Sequence, residues 1–151
     1  MAVVGLFMAI DRASAADFAA LASDAIALGY EVEWDDELPG GDDWWARTLA
    51  KVERADAFIY VLTATSVAST ACEEQLRYAI ALGRPVLPVL LGDGISDVDL
   101  PPALGQLQRV DYREASAKAM AQLFSALRGL QLPPPSPQQP LALRTPRHWQ
   151  T

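Results

Sequence analysis

The strongest constraint on this chain is an alternation. Short, nearly continuous apolar runs at residues 3–10, 57–62 and 86–91 and around Val110 are interleaved with segments whose apolar residues recur at helical spacing. A strand that feeds a helix and then another strand must return across the sheet. The pattern therefore predicts a parallel sheet with helices on both sides. Unbroken apolar runs, in place of alternating ones, suit strands covered on both faces. With 151 residues, 51% of them apolar, the chain is long enough for one core of ordinary size.

Local signals place the elements. Residues 3–10 form the first strand; Ser14 and Asp17 read as a capping-box-like start, and Phe18, Leu21, Ala25 and Leu28 give one apolar helix face that Gly29 ends. Tyr30, Val32 and Trp34 alternate with Glu31 and Glu33, the period of a strand with one wet face near a sheet edge. Residues 35–43 are so acidic and rich in Pro and Gly that a loop is predicted, before a helix that turns Trp45, Leu49 and Val52 inward. Residues 66–70 read as a polar loop leading to a helix over 71–82 that Gly83 closes, with Thr70 and Glu73 as its capping box. After a surface loop over 92–102 and a short strand at Val110, the last helix gathers Met120, Leu123, Phe124 and Leu127 on one face and stops at Gly129. Residues 1–130 are thus read as one domain. Residues 131–151, with LPPPSPQQP at 132–140, read as a semi-rigid polyproline tail or linker.

Charge and residue inventory exclude several functions. A net charge of −7 without a Lys/Arg cluster repels phosphate backbones, so no nucleic acid partner is expected. One cysteine, Cys72, and one histidine, His148, fall short of a zinc ligand set, and the acids of residues 31–43 lack the spacing of a calcium loop, so no metal is expected. No uninterrupted apolar run is long enough to span a bilayer, and the apolar start lacks a basic leader; no membrane partner and a cytoplasmic location are expected. Cys72 has no histidine near it in sequence to activate it and reads as a small buried hydrophobe. Neither Gly-x-Gly-x-x-Gly nor Gly-Lys-Ser/Thr occurs, which sets aside a dinucleotide oxidoreductase and a nucleotide triphosphatase; a phosphoacceptor receiver lacks its aspartate at Leu62-Thr63 and its lysine at Tyr112-Arg113.

Four stretches in order resemble TIR (Toll/interleukin-1 receptor) domains. They are Phe7-Met8-Ala9-Ile10-Asp11-Arg12; Gly29-Tyr30-Glu31-Val32-Glu33-Trp34 running into Leu38-Pro39-Gly40-Gly41-Asp42-Asp43-Trp44; Ala55-Asp56-Ala57-Phe58-Ile59-Tyr60-Val61-Leu62 running into Ser66-Val67-Ala68-Ser69, Cys72 and Leu76; and Tyr78-Ala79 through Leu82-Gly83-Arg84-Pro85-Val86 to Leu91. The resemblance implies a flavodoxin-like α/β three-layer sandwich: five parallel strands in order 2-1-3-4-5 with helices on both faces. It also implies self-association through the loop carrying Leu38, Pro39, Gly40, Gly41 and Asp42 and, in bacterial members, cleavage of NAD+ as substrate with no resident cofactor. In those members the third stretch typically reads Ser-x-Trp-Cys-x-x-Glu-Leu and the glutamate is catalytic. Here that position is Gln75 and the Trp position is Ala71.

The substitution bears on chemistry. Breaking the nicotinamide–ribose bond develops a ribosyl cation, so a negative charge beside the ribose is the main requirement. At about 4 Å and an effective dielectric near 20, that charge contributes roughly 4 kcal/mol, and its neutral amide costs about a thousandfold in rate. A glutamine can still hydrogen-bond a ribose hydroxyl. Three explanations of Gln75 stand: an engineered inactivating substitution, a naturally inactive member, or a shifted site in which Glu74 substitutes. Asp11 and Arg12 follow the first strand, where open α/β sheets place ligands; Arg12 can meet a pyrophosphate, Ser66 or Ser69 a ribose, and Trp34 or Trp44 a base or a neighbouring subunit. The resemblance also implies other TIR domains as partners, a ligand-sensing domain tethered by the tail, and a bacterial defence role. The rival reading is a TIR–TIR interaction module without chemistry.

Overall fold

A computed structural model of the chain describes residues 4–10, 15–34, 41–93, 95, 104, 109–114 and 116–130, with backbone alone at 15–17 and 41–42. The elements run β1 (Gly5–Ala9), α1 (Ala15–Ala27), β2 (Glu31–Glu33), α2 (Gly41–Arg54), β3 (Ala57–Leu62), α3 (Ala64–Val67), α4 (Thr70–Ala81), β4 (Val86–Leu90), β5 (Val110–Asp111) and α5 (Ala117–Arg128). All strand pairings are parallel, in the order β2-β1-β3-β4-β5. The register sets Met8 beside Ile59 and Ile59 beside Leu87. This is the flavodoxin-like α/β fold, with the strand order expected from the sequence.

The unbroken apolar runs are explained by the two faces they serve. Successive residues of a strand point to opposite sides. Leu6, Met8, Ile59 and Val61 join Phe18, Leu21 and Ala25 of α1 and Leu123 and Leu127 of α5 in one core layer. Phe7, Ala9, Phe58, Tyr60 and Leu62 join Val52 of α2 and Cys72, Leu76 and Ala79 of α4 in the other. Every residue of β3 is buried, as the central strand requires. At roughly 1.5–3 kcal/mol for each fully buried large apolar side chain, these two layers are the main favourable term of the fold. The hydroxyl of Tyr112 donates to Asp24 and ties the exit of β5 to α1.

Helix boundaries depart from the sequence expectations in three places. α2 begins at Gly41, so Gly41, Asp42 and Asp43 are helical and not loop. Acids in a first turn compensate the positive end of the helix dipole, which outweighs their loop-like composition. The inward line of α2 is Thr48 and Val52, while Trp45 and Leu49 are half-buried. Thr48 tolerates burial because its hydroxyl donates to the carbonyl of Trp44 at 3.0 Å.

The segment after β3 is not a loop over 66–70 but the helical turn α3. α4 then starts at Thr70, with Ser69 as its N-cap accepting from the amide of Cys72. The Thr70–Glu73 capping box is thereby replaced, and Glu73 pairs with Arg77 at 2.7 Å. Gly29 and Gly83 follow α1 and α4 with φ of 101° and 76°, a conformation that favours glycine, as their stop positions implied. Ser14, the predicted cap of α1, the loop residues Leu38, Pro39 and Gly40, and residues 131–151 lie outside the described residues. Among the described residues no helix is long and apolar enough to cross a membrane.

Candidate functional site

Open parallel sheets place ligands beyond the carboxyl ends of their strands. Here the ends of β1, β3 and β4 converge on the start of α4. At the end of β3 the chain turns at Thr63, whose side chain accepts from the Ser66 amide at 3.0 Å while the Ser66 hydroxyl oxygen accepts from the Thr63 amide at 2.8 Å. The Ser66 hydroxyl donates to the carbonyl of Val61 at 2.6 Å, and the Tyr60 hydroxyl donates to the Ser66 carbonyl at 3.2 Å. The amides of Leu91 and Gly92, leaving β4, both donate to the carbonyl of Leu62 at 3.0 Å. A Cβ at Gly92 would lie 3.2 Å from the Thr63 Cα, so glycine is what lets these two chain segments approach.

This turn delivers the first residues of α4. Ser69 donates its amide to the Ser66 carbonyl and caps α4, and the Cys72 thiol donates to the carbonyl of Ile10 at 3.5 Å, just past β1. One turn into the helix, on the same inward face as Cys72, Leu76 and Ala79, lies Gln75, only 2% exposed. Its Oε1 has no hydrogen-bond partner among the described residues. An unsatisfied buried carbonyl oxygen costs about 1–3 kcal/mol, a penalty that a ligand hydroxyl would relieve. Burial pushes the Tyr60 hydroxyl pKa well above its ordinary value, with Cys72 and Glu73 adding to the rise, so Tyr60 stays protonated beside this turn.

The remaining candidates separate by face. Glu74 is exposed, because consecutive helical residues differ by about 100° and Gln75 faces the sheet. Ser66 is fully buried with its hydroxyl engaged inside the fold, so it shapes the turn from beneath and does not present itself to a ribose. Ser69 and Ala71 are half-buried at the start of α4. Trp34 belongs to the opposite core layer: its ring meets Phe18 edge-on at 5.2 Å, and its carbonyl accepts from Lys51 Nζ. Trp44, half-buried, lies 5.5 Å from Trp45 near the start of α2, which packs on α4. Gly41 and Asp42 lie in the first turn of α2, while Asp11, Arg12, Leu38, Pro39 and Gly40 fall outside the described residues.

Sequence reasoning placed Thr63 at the ligand end of the third strand but missed its turn with Ser66, and it missed Tyr60 and Gly92. Thr63-x-x-Ser66 differs from the usual Ser/Thr-x-x-Glu/Gln box, and nothing local marks a glycine that is needed by a distant segment. It also missed a polar depression of about 540 Å3 at the end of β5, lined by Asp93, Asp111, Arg113 and Lys118 among others. There Arg113 bridges Asp111 at 2.7 Å and Asp93 at 3.1 Å. Its hydrogen bonds draw the Asp111 carboxyl down to about 2. Among the described residues no group of three His, Cys, Asp or Glu is placed to hold a metal ion.

A family model described as a TIR domain matches residues 7–124. Among solved structures, the chain is similar to the TIR domain of the Toll-related receptor TRR-2 from Hydra magnipapillata, with TM-score 0.64, 16% identity, and coverage of 82% of this chain and 98% of that one. It is also similar to the TIR domains of the activated Roq1 resistosome, with TM-score 0.59, 13% identity and coverage of 82% and 99%. A 2-deoxyribosyltransferase from Bacillus psychrosaccharolyticus matches with TM-score 0.52, 16% identity and coverage of 63% and 78%. A search of curated proteins finds no match.

Proposed function

The chain belongs to the TIR domain family, and from that membership we propose that it is a cytoplasmic effector of the bacterial defence type, whose site at the start of α4 takes NAD+ and is activated by self-association. The observation that carries this reading is the buried, unpartnered Oε1 of Gln75 at the position that the family motif gives to its catalytic glutamate. That oxygen accepts a ribose hydroxyl. The Ser69 hydroxyl at the same helix start keeps a proton to donate while its oxygen accepts from Cys72. Asp11 and Arg12, next in sequence after Ile10, belong to the NAD+ site, with Arg12 supplying the pyrophosphate contact, and Trp44 supplies the stacking surface.

The likeness to a deoxyribosyltransferase supports a fold that can carry ribosyl chemistry. The likeness to TIR domains from an activated resistosome supports assembly as the mode of action, with residues 38–42 as the contact segment and residues 131–151 as a tether to a ligand-sensing domain. Cleavage leaves the ribose as an oxocarbenium-like cation that water captures, with nicotinamide as the leaving group. A carboxylate in place of the Gln75 amide stabilises that cation, and the amide does not. This chain therefore binds NAD+ and turns it over about a thousandfold slower than its glutamate form.

The second reading is an interaction module without chemistry. It is favoured by the amide at Gln75 together with the exposure of Glu74, so that no carboxylate is buried on the inward face of α4 among the described residues. Calorimetric titration with NAD+ tests the first. Binding by the chain that is lost in Gln75→Leu supports the site; absence of binding at millimolar NAD+ overturns it in favour of the interaction module.

A further inference from the structure

The start of α4, where the ends of β1, β3 and β4 converge, is polar and yet uncharged among the described residues. The segments that meet there are residues 4–10, 57–72 and 86–92, and none of their positions holds an Asp, Glu, Lys or Arg, in a chain that is 21% charged. They offer hydroxyl, thiol and amide groups instead: Thr63, Ser69, Cys72 and, on the inward face of α4, Gln75. The Cys72 thiol keeps its proton on the Ile10 carbonyl, and burial keeps that of Tyr60. The carboxylates that come next are engaged or outward. Glu73 pairs with Arg77 at 2.7 Å, Glu74 is exposed, and Asp93 pairs with Arg113 at 3.1 Å. The two charged residues that follow Ile10 in sequence, Asp11 and Arg12, are opposite in sign.

An uncharged site changes which ligands it can tell apart. NAD+ and NADH share their ribose hydroxyls, pyrophosphate and adenine and differ at the nicotinamide ring, a cation in one and uncharged in the other. A carboxylate at position 75, about 4 Å from the ribose, would lie about 6 Å from the ring charge. At an effective dielectric near 20 it would favour the cation about a hundredfold. Burial protects such a preference from screening by salt. The Gln75 amide makes no such distinction. Its Oε1, unpartnered in a side chain only 2% exposed, is relieved by a ribose hydroxyl, which both forms of the dinucleotide present equally.

We propose that the site at the start of α4 takes nicotinamide dinucleotides without regard to ring charge, holding NADH as tightly as NAD+, with residue 75 as the position that sets this choice. The choice rests on the NAD+ reading of the same site and deepens it. A chain that cleaves slowly and does not select the cation responds to the dinucleotide pool as a whole, oxidised and reduced together.

Calorimetric titration of the full chain and of Gln75→Glu, each with NADH and with carbocyclic NAD+, tests this. The carbocyclic analogue keeps the ring charge and the ribose hydroxyls but lacks the ring oxygen that stabilises the ribosyl cation, so the glutamate form does not consume it. Dissociation constants within about threefold of each other are expected in this chain, and a shift of about a hundredfold toward the charged analogue in Gln75→Glu. Gln75→Leu should abolish measurable binding of both ligands alike, and it stands in for the glutamate form if circular dichroism shows that form unfolded. A larger preference for either ligand in this chain overturns the proposal and leaves the NAD+ site in place. So does an unchanged ratio in folded Gln75→Glu, or loss of one ligand alone in Gln75→Leu. Binding of neither ligand at millimolar concentration overturns the NAD+ reading itself, and ring-charge indifference with it.

Discussion

The Cys72 thiol donates to the carbonyl oxygen of Ile10, fastening the first turn of α4 to the end of β1. The sulfur is thus placed to hold two elements together, not to attack a substrate. Cys72→Ala should lower unfolding stability by about 1 kcal/mol in urea titrations, through lost packing and one weak bond. In a Gln75→Glu background it should leave NAD+ cleavage within about tenfold. A loss approaching that of removing an essential nucleophile would contradict this role.

Ser66 is the more costly residue to truncate. Its hydroxyl satisfies the Thr63 amide and the Val61 carbonyl in a fully buried place, so Ser66→Ala should destabilise by about 2–3 kcal/mol, against about 1 kcal/mol for loss of the cap in Thr63→Ala. Equal and small effects in denaturant unfolding would show that the turn is held by other contacts.

Gly92 makes a sterically distinct prediction. A methyl group there meets the Thr63 Cα at 3.2 Å, so Gly92→Ala should push the β4 exit away from the turn and reduce both stability and NAD+ affinity. Unchanged affinity in calorimetry would uncouple the turn from the site.

How much of this was legible in the sequence follows from the range of each signal. Strand runs and helix faces were legible because two-sided burial writes itself into consecutive residues, as in β3, where Phe58 and Tyr60 serve one layer and Ile59 and Val61 the other. The start of α2 was misread because Gly40-Gly41-Asp42-Asp43 has turn composition, although Asp42 and Asp43 suit a helix N-terminus equally well. Gln75 was found through the family motif; its burial and its unpartnered oxygen were not, since no spacing rule distinguishes a satisfied amide from an orphaned one. Trp34 was grouped with the site for its aromatic surface, but the side of the sheet on which it packs is set by contact with Phe18, a long-range fact.

Two pH ranges should reveal the charged groups. Asp111 is held at about 2 by Arg113, below its unfolded value near 3.9, so its contribution is present above the unfolded value and is lost as pH falls toward 2. Because the pair is solvent-exposed the stability effect is modest, and the direct check is carboxyl titration by NMR, with Arg113→Ala returning Asp111 toward the ordinary range. At the other end, Tyr60, Tyr78 and Tyr112 all have raised pKa values, burial being the first cause in each. Their contribution is intact below the unfolded value near 10 and falls as pH rises past it, so tyrosinate absorbance from these three should appear together with unfolding.

The most direct measurement is nicotinamide release from NAD+ by this chain and by Gln75→Glu, both concentrated with a crowding agent so that assembly is forced. About a thousandfold more release is expected from Gln75→Glu. Equal release would contradict position 75 as the catalytic one, and no release from either protein with NAD+ binding also absent would contradict an NAD+ site at the start of α4 and leave the chain as an assembly module.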